Sequence, residues 1–260
     1  MIRRSILVLA AMCLALALCA QNKYNINDNE QILSKNERRC IEQMVDYELA
    51  FYNKIFGQGS ISREAVKMTI IKDYPTYVFY LDKAGIKANR NSSGVYSSKL
   101  NEIVMWRNNN TTTERFLTVC YHEMSHAILH SKMKSPAAWF NEGLASYFGY
   151  MKVTPKSIRH QSHRYYEDRV KTLIEIRDLD LKDFITWNGA KFSQVSFSQD
   201  GYGYAVAYCM ILLLMRNEET LCAIIREIAG GKSSAEAFDI CYPGGFSAFE
   251  KEFIAKYSVK

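Results

Sequence analysis

Two histidines four positions apart, His122 and His126, constrain this 260-residue chain more tightly than anything else in it. They lie in HEMSH, inside a stretch where Phe116, Val119, Cys120, Ala127 and Ile128 recur at helical spacing, and Thr111 with Glu114 reads as the capping box that starts the helix. At about 3.6 residues per turn, positions four apart share one helix face, so both imidazoles can reach one metal ion while Glu123 turns toward a water on it. Neutral nitrogen ligands suit zinc, which in catalytic sites takes three protein ligands and keeps a position open. A third ligand is at hand. Fifteen residues separate His126 from Glu142, which lies in AAWFNEGLASYF. Ser135 as cap and Pro136 at the first position predict a second helix running to about Tyr147. Two consecutive helices joined by a short loop can pack antiparallel and bring Glu142 beside the histidines.

HEMSH followed by WFNEGLASYF resembles the HExxH…WLNEGFA signature of the gluzincin metallopeptidases, and the short separation is similar to their peptidase-MA-like branch, found in many bacterial envelope proteins. The resemblance runs from about Phe116 to Tyr150 and is looser elsewhere, although the order helix, strand, Gly94-Val95-Tyr96, then strand Ile103 to Trp106 is also similar. It implies an α/β fold of the α+β kind: a small mixed or antiparallel sheet packed on an active-site helix, with a helical C-terminal lobe across a zinc cleft, a thermolysin- or aminopeptidase-like catalytic core. Ile103 to Trp106 would be the edge strand to which an extended peptide adds.

The same resemblance implies one Zn²⁺ per chain on His122, His126 and Glu142, with Glu123 as the base that activates water. Related enzymes supply an oxyanion donor from a later helix, and DGYGYAVAY offers Tyr202 and Tyr204, with Tyr204 preferred because it heads the apolar helix. Thermolysin-like enzymes carry an acid one turn past the third ligand; here Ser146 stands there, and no Asp or Glu is identified to orient the histidines. Asn141 is read as a neighbour contacting substrate backbone and Gly143 as a residue allowing close helix packing. His130 continues the histidine face outside the ligand set, and His160 and His163 are read as exposed. No GAMEN-like motif precedes HEMSH, and Glu102 is the only acid in SSGVYSSKLNEIVMW, so cleavage of internal bonds is expected, not removal of N-terminal residues.

Residues 1–20 read as a secretory signal: Arg3 and Arg4, then fifteen apolar residues from Ile6 to Ala20, short for a bilayer span of about twenty. The mature chain from Gln21 is expected in the periplasm or outside the cell, with no stable membrane insertion. Removing Arg3 and Arg4 from the 33 basic residues leaves 31 against 27 acidic ones, a net of +4 with no block of like charges, which excludes a nucleic-acid partner. Five cysteines remain at irregular spacing; if any pair is bridged, Cys222 with Cys241 is the first to test.

The mature segment, 21–260, reads as one domain, with a helix, the sheet and the HEMSH helix in 21–133 and a mostly helical lobe in 134–260. Expected elements are a helix from about Asp28 to Phe56 stopped by Gly57, and β-prone runs at Lys67 to Ile71, Thr76 to Leu81 and Glu102 to Trp106. Helices follow at Tyr204 to Met215, Leu221 to Ile228 and Phe246 to Tyr257. The expected activity is zinc-dependent hydrolysis of internal peptide bonds in a peptide or protein substrate. The alternatives are a non-catalytic metal- or protein-binding module of the same fold, and a zinc hydrolase of a non-peptide amide.

Overall fold

The computed structural model describes residues 24–88, 92–107 and 110–258, so the signal segment lies outside the described residues. Helix α1 (Lys35–Phe56) starts seven residues later than Asp28. The Asp28 carboxylate instead accepts from the backbone N–H groups of Ile32 and Leu33, holding a turn, and Ser34 with Glu37 forms the capping box. Gly57 ends α1 at φ 104°, a left-handed value that suits glycine.

Strand β1 (Asn25–Asn27) precedes α1 in the chain; β2 (Lys67–Ile71) follows it. The run Thr76 to Leu81, expected as a strand, is part of helix α2 (Tyr74–Lys83). Its β-branched and aromatic residues mimic a strand, but Asp73 caps the Thr76 N–H, Pro75 occupies the first turn, and Tyr77 and Leu81 bury at four-residue spacing. Strands β3 (Gly94–Ser97) and β4 (Glu102–Trp106) complete a mixed sheet of order β1-β2-β4-β3, parallel from β1 through β4 and antiparallel at β3. Ile103 to Trp106 is therefore not the edge. Both sides of β4 are paired, and among the described residues β1 and β3 are the edges, with β3 the one beside β4.

Helix α3 (Thr113–His130) lies on the sheet face that carries Ile103 and Met105, while α2 covers the other face with Val104 and Leu81. Its cap is Thr112, one residue beyond Thr111, accepting from the Arg115 N–H. Helix α4 (Ala138–Gly149) starts two residues past Pro136, and its N-cap, Ala137, makes no side-chain cap bond. Burial of Ala138, Trp139 and Phe140 anchors that first turn instead. A two-stranded antiparallel sheet follows, β5 (Met151–Thr154) and β6 (Ser157–His160).

The rest is helical: α5 (Arg164–Glu175), α6 (Leu181–Phe184), α7 (Gly189–Ser198), α8 (Tyr202–Leu214), α9 (Glu218–Ala229), α10 (Ser234–Cys241) and α11 (Gly245–Tyr257). The apolar α8 is buried on nearly every side, and α4 packs between it and α3. The chain is thus α+β, a small mixed sheet with one long helix against it and a helical C-terminal half. Cys222 and Cys241 are free thiols, and the bridge between them is not formed. Among the described residues, no helix is long and apolar enough to cross a membrane.

Candidate metal centre

Helix α3 is held in place from behind. Phe116, Cys120, Met124 and Ile128 are fully buried, and the Ser125 and Tyr52 hydroxyls meet at 2.6 Å in the core. With that face committed, His122, Glu123 and His126 must point the other way, toward α4 and β3. Two glycines let α4 come close enough. A methyl on Gly149 would stand 3.1 Å from the Thr118 carbonyl oxygen and 3.5 Å from the His122 Cβ; one on Gly143 would stand 2.7 Å from the Ala207 carbonyl oxygen of α8.

The Nε2 atoms of His122 and His126 lie 3.1 Å apart, and Glu142 Oε2 is 3.6 Å from each. Bonds of about 2.0–2.2 Å to a tetrahedral zinc set donor separations of roughly 3.3–3.6 Å, so this spacing fits such an ion. Among the described residues, these three form the only group of three or more His, Cys, Asp or Glu side chains that converges in this way. Their side chains are 11–23% exposed, enough for a small ligand to enter. Burial alone would lower the His126 imidazolium and raise the Glu142 carboxyl. The pairing between them outweighs both effects, carrying His126 up to about 9 and holding Glu142 well below the usual carboxylate range.

Asn141 has a role the sequence reading missed. His126 Nδ1–H donates to Asn141 Oδ1 at 3.1 Å, which leaves Nε2 as the ring nitrogen directed at Glu142. Asn141 Nδ2 also donates to Glu142 Oε1 at 3.1 Å, leaving Oε2 toward the histidines. One amide therefore orients two of the three converging side chains. Ser146, at the position of the missing acid, is buried.

Glu123 Oε2 accepts from the Tyr96 backbone N–H of β3 at 2.7 Å. Tyr204, in the first turn of α8, has its ring edge-on to Phe192 at 5.2 Å. Burial raises its phenol first, and the Glu142 and Glu123 carboxylates raise it further, so the hydroxyl keeps its proton close to both. Tyr202 points elsewhere: its ring stacks on Trp187 and its hydroxyl donates to the Asp178 carbonyl oxygen at 3.2 Å. Tyr166 of α5 is a second phenol raised by burial and touched electrostatically by Tyr204 and Glu142. Nothing local in the sequence marked it.

His130 stays outside the ligand set, its ring centroid 6.4 Å from that of His126 and 5.5 Å from that of Tyr96. His160 and His163 are not exposed. His160 stacks on Tyr147 at 4.3 Å with Nε2 3.2 Å from the Tyr208 hydroxyl, and His163 stacks on Tyr166 at 3.8 Å. Glu102 lies on the far face of the sheet, buried and engaged by Thr69, Tyr80 and Lys67. No family model matches the chain, and no curated protein matches it.

Proposed function

We propose that this chain is an exported zinc-dependent peptidase of the gluzincin kind, with a thermolysin-like catalytic core, that hydrolyses internal peptide bonds. The observation that carries the reading is the convergence of His122, His126 and Glu142 at 3.1–3.6 Å, with Glu123 next to His122 on α3. A zinc ion held by these three would polarise a substrate carbonyl and bring the pKa of a water down toward about 7.

The remaining work falls to the chain's own residues. Glu123 accepts the proton of the attacking water and returns it to the leaving amine. The hydrogen bond from the Tyr96 N–H holds its carboxylate at the sheet edge. The Tyr204 phenol, protonated at neutral pH, donates to the oxyanion as it develops. Asn141 holds His126 and Glu142 in register, so little reorganisation accompanies the reaction.

Strand β3 supports a peptide substrate. The Trp106 N–H bonds the Ser93 carbonyl oxygen, which sets the phase of the antiparallel pair: Val95 faces β4, whereas Gly94 and Tyr96 turn their backbone groups off the free edge. Glu123 takes the Tyr96 N–H, which leaves the Tyr96 carbonyl oxygen to accept from an extended substrate. Glu102, saturated on the opposite face, is in no position to grip a free amine, which supports internal cleavage.

The test is hydrolysis of an N-acetylated peptide library by the mature protein, with and without a chelator. Cleavage that stops with chelator and returns with zinc is expected. Faster turnover of free-amine dipeptide analogues than of their acetylated forms would contradict the internal-cleavage reading.

A further inference from the structure

A cavity of about 1060 Å³ runs along the flank of α3, bounded by the α1 start, the base of the β5–β6 hairpin and the first turn of α5. It begins near the metal centre: Thr118 and Gly149 line it, one helical turn, about 5–6 Å, before His122. Arg115, Lys152 and Arg164 stand on its walls, all exposed and none in an ion pair among the described residues. Glu114 is its only carboxylate. Tyr150 and Tyr165 add aromatic surface, and the floor holds Tyr121, 1% exposed, whose hydroxyl has no hydrogen-bond partner.

From this arrangement we infer that the groove is an exosite for an acidic segment of the protein substrate, lying beyond the bond to be cut. The inference rests on the peptidase reading for its substrate, not for its chemistry. Three unpaired cations against one carboxylate attract an anionic chain and raise its encounter rate. Tyrosines give an extended peptide apolar area at low entropic cost. Gly149, which lines the groove, also packs against Thr118 and the His122 Cβ, so the groove and the three converging side chains flank the same stretch of α3. A polynucleotide or anionic glycan fits less well: the cations are spread over α3, β5 and α5, and the chain has no run of like charges to track a repeating backbone.

The experiment is fluorescence anisotropy of two labelled peptides, one carrying four Asp or Glu residues and the other Asn or Gln at the same places. Each is titrated with mature protein carrying Glu123→Gln, so that neither is consumed. The acidic peptide is expected to bind about tenfold more tightly at low ionic strength, with the gap closing at high salt. Arg115→Glu, Lys152→Glu and Arg164→Glu together should abolish the preference. The single variants Lys152→Gln and Arg164→Gln, which remove a charge without adding one, should each reduce it. Hydrolysis of a short neutral peptide, followed in parallel with Glu123 intact, should be the same in the groove variants as in wild type.

Equal binding of the two peptides would overturn the exosite whether or not the protein cuts either one. Loss of all hydrolysis with the acidic preference intact would instead overturn the peptidase reading and leave the groove standing. Displacement of the acidic peptide more readily by heparin or a DNA oligonucleotide than by unlabelled acidic peptide would overturn the assignment to a peptide.

Discussion

The Glu123 carboxylate accepts a 2.7 Å hydrogen bond from the backbone N–H of Tyr96, joining the metal-site helix α3 to the free edge of the sheet. The bond gives the carboxylate a fixed direction and places it where a chain laid along β3 would pass. A carboxylate serving only as a surface charge on α3 would have no need of that partner. The proposed proton acceptor and the strand edge proposed to bind peptide are thus joined by one hydrogen bond.

The bridging amide of Asn141 gives the first expectation. Asn141→Ala removes the acceptor for His126 Nδ1–H and the donor to Glu142 Oε1 together. Zinc affinity should fall about 10–100-fold, as for other outer partners of ligating histidines. Asn141→Asp keeps the acceptor and should recover much of it. Competition titration with a zinc chelator reads both, and unchanged affinity in the alanine variant would remove Asn141 from the site.

Tyr204→Phe keeps the ring against Phe192 and deletes only the hydroxyl. If the phenol stabilises the oxyanion, kcat should fall on the order of 10²–10³-fold with KM, zinc content and Tm nearly unchanged. Tyr202→Phe loses a bond to the Asp178 carbonyl oxygen, so it should lower stability by about 0.5–1.5 kcal/mol and leave kcat alone. The reverse pattern would move the role from one tyrosine to the other.

Gly143 is where α4 meets α8. A β-carbon there would lie 2.7 Å from both the Ala207 carbonyl oxygen and Ile211 Cγ1, and the backbone oxygen cannot step aside. Gly143→Ala should destabilise the protein by about 1–3 kcal/mol. Because Glu142 is the adjacent residue, zinc affinity should fall with it. A thermal melt and a zinc titration on the same sample check the two effects.

The histidine spacing was legible because it is local: four residues on one helix need no tertiary information. The same holds for β2 and β4, the Gly57 stop and the buried α8, whose residues declare themselves by periodicity or turn chemistry. What failed depends on partners distant in the chain. Thr76 to Leu81 has strand-like composition, and only the Asp73 cap and the packing of Tyr77 and Leu81 make it a helix. The edge passed from β4 to β3 because strand order is decided by pairing, not by the strand itself. The contact of Asn141 with His126 was not foreseen because the reading sought a carboxylate to orient the histidines, whereas an amide oxygen accepts the same proton. His160 and His163 lie among charged residues in sequence, yet they stack against tyrosines of α4, α5 and α8.

That stacking has a pH consequence. Burial lowers His160 to about 4, below its ordinary value near 6.5, and its Nε2 meets the Tyr208 hydroxyl. The unfolded chain binds this proton more readily than the folded one, so the neutral ring's contribution is complete above about pH 6.5 and is lost as pH falls toward 4. After solvent screening of this half-buried group, the loss is on the order of 1–2 kcal/mol. Wild type should therefore lose more Tm between pH 7 and 4.5 than His160→Asn does. Equal losses would show that His160 does not titrate with folding.

The decisive measurement is zinc content and kcat, taken together on wild type, Glu123→Gln and His126→Ala of the mature protein. Wild type should carry about one zinc per chain and cleave an internal peptide bond. Glu123→Gln should keep the zinc and lose turnover, because it removes the proton acceptor and none of the three ligands. His126→Ala should lose both. Full turnover in Glu123→Gln, or wild type that binds no zinc at neutral pH, would contradict the proposed chemistry.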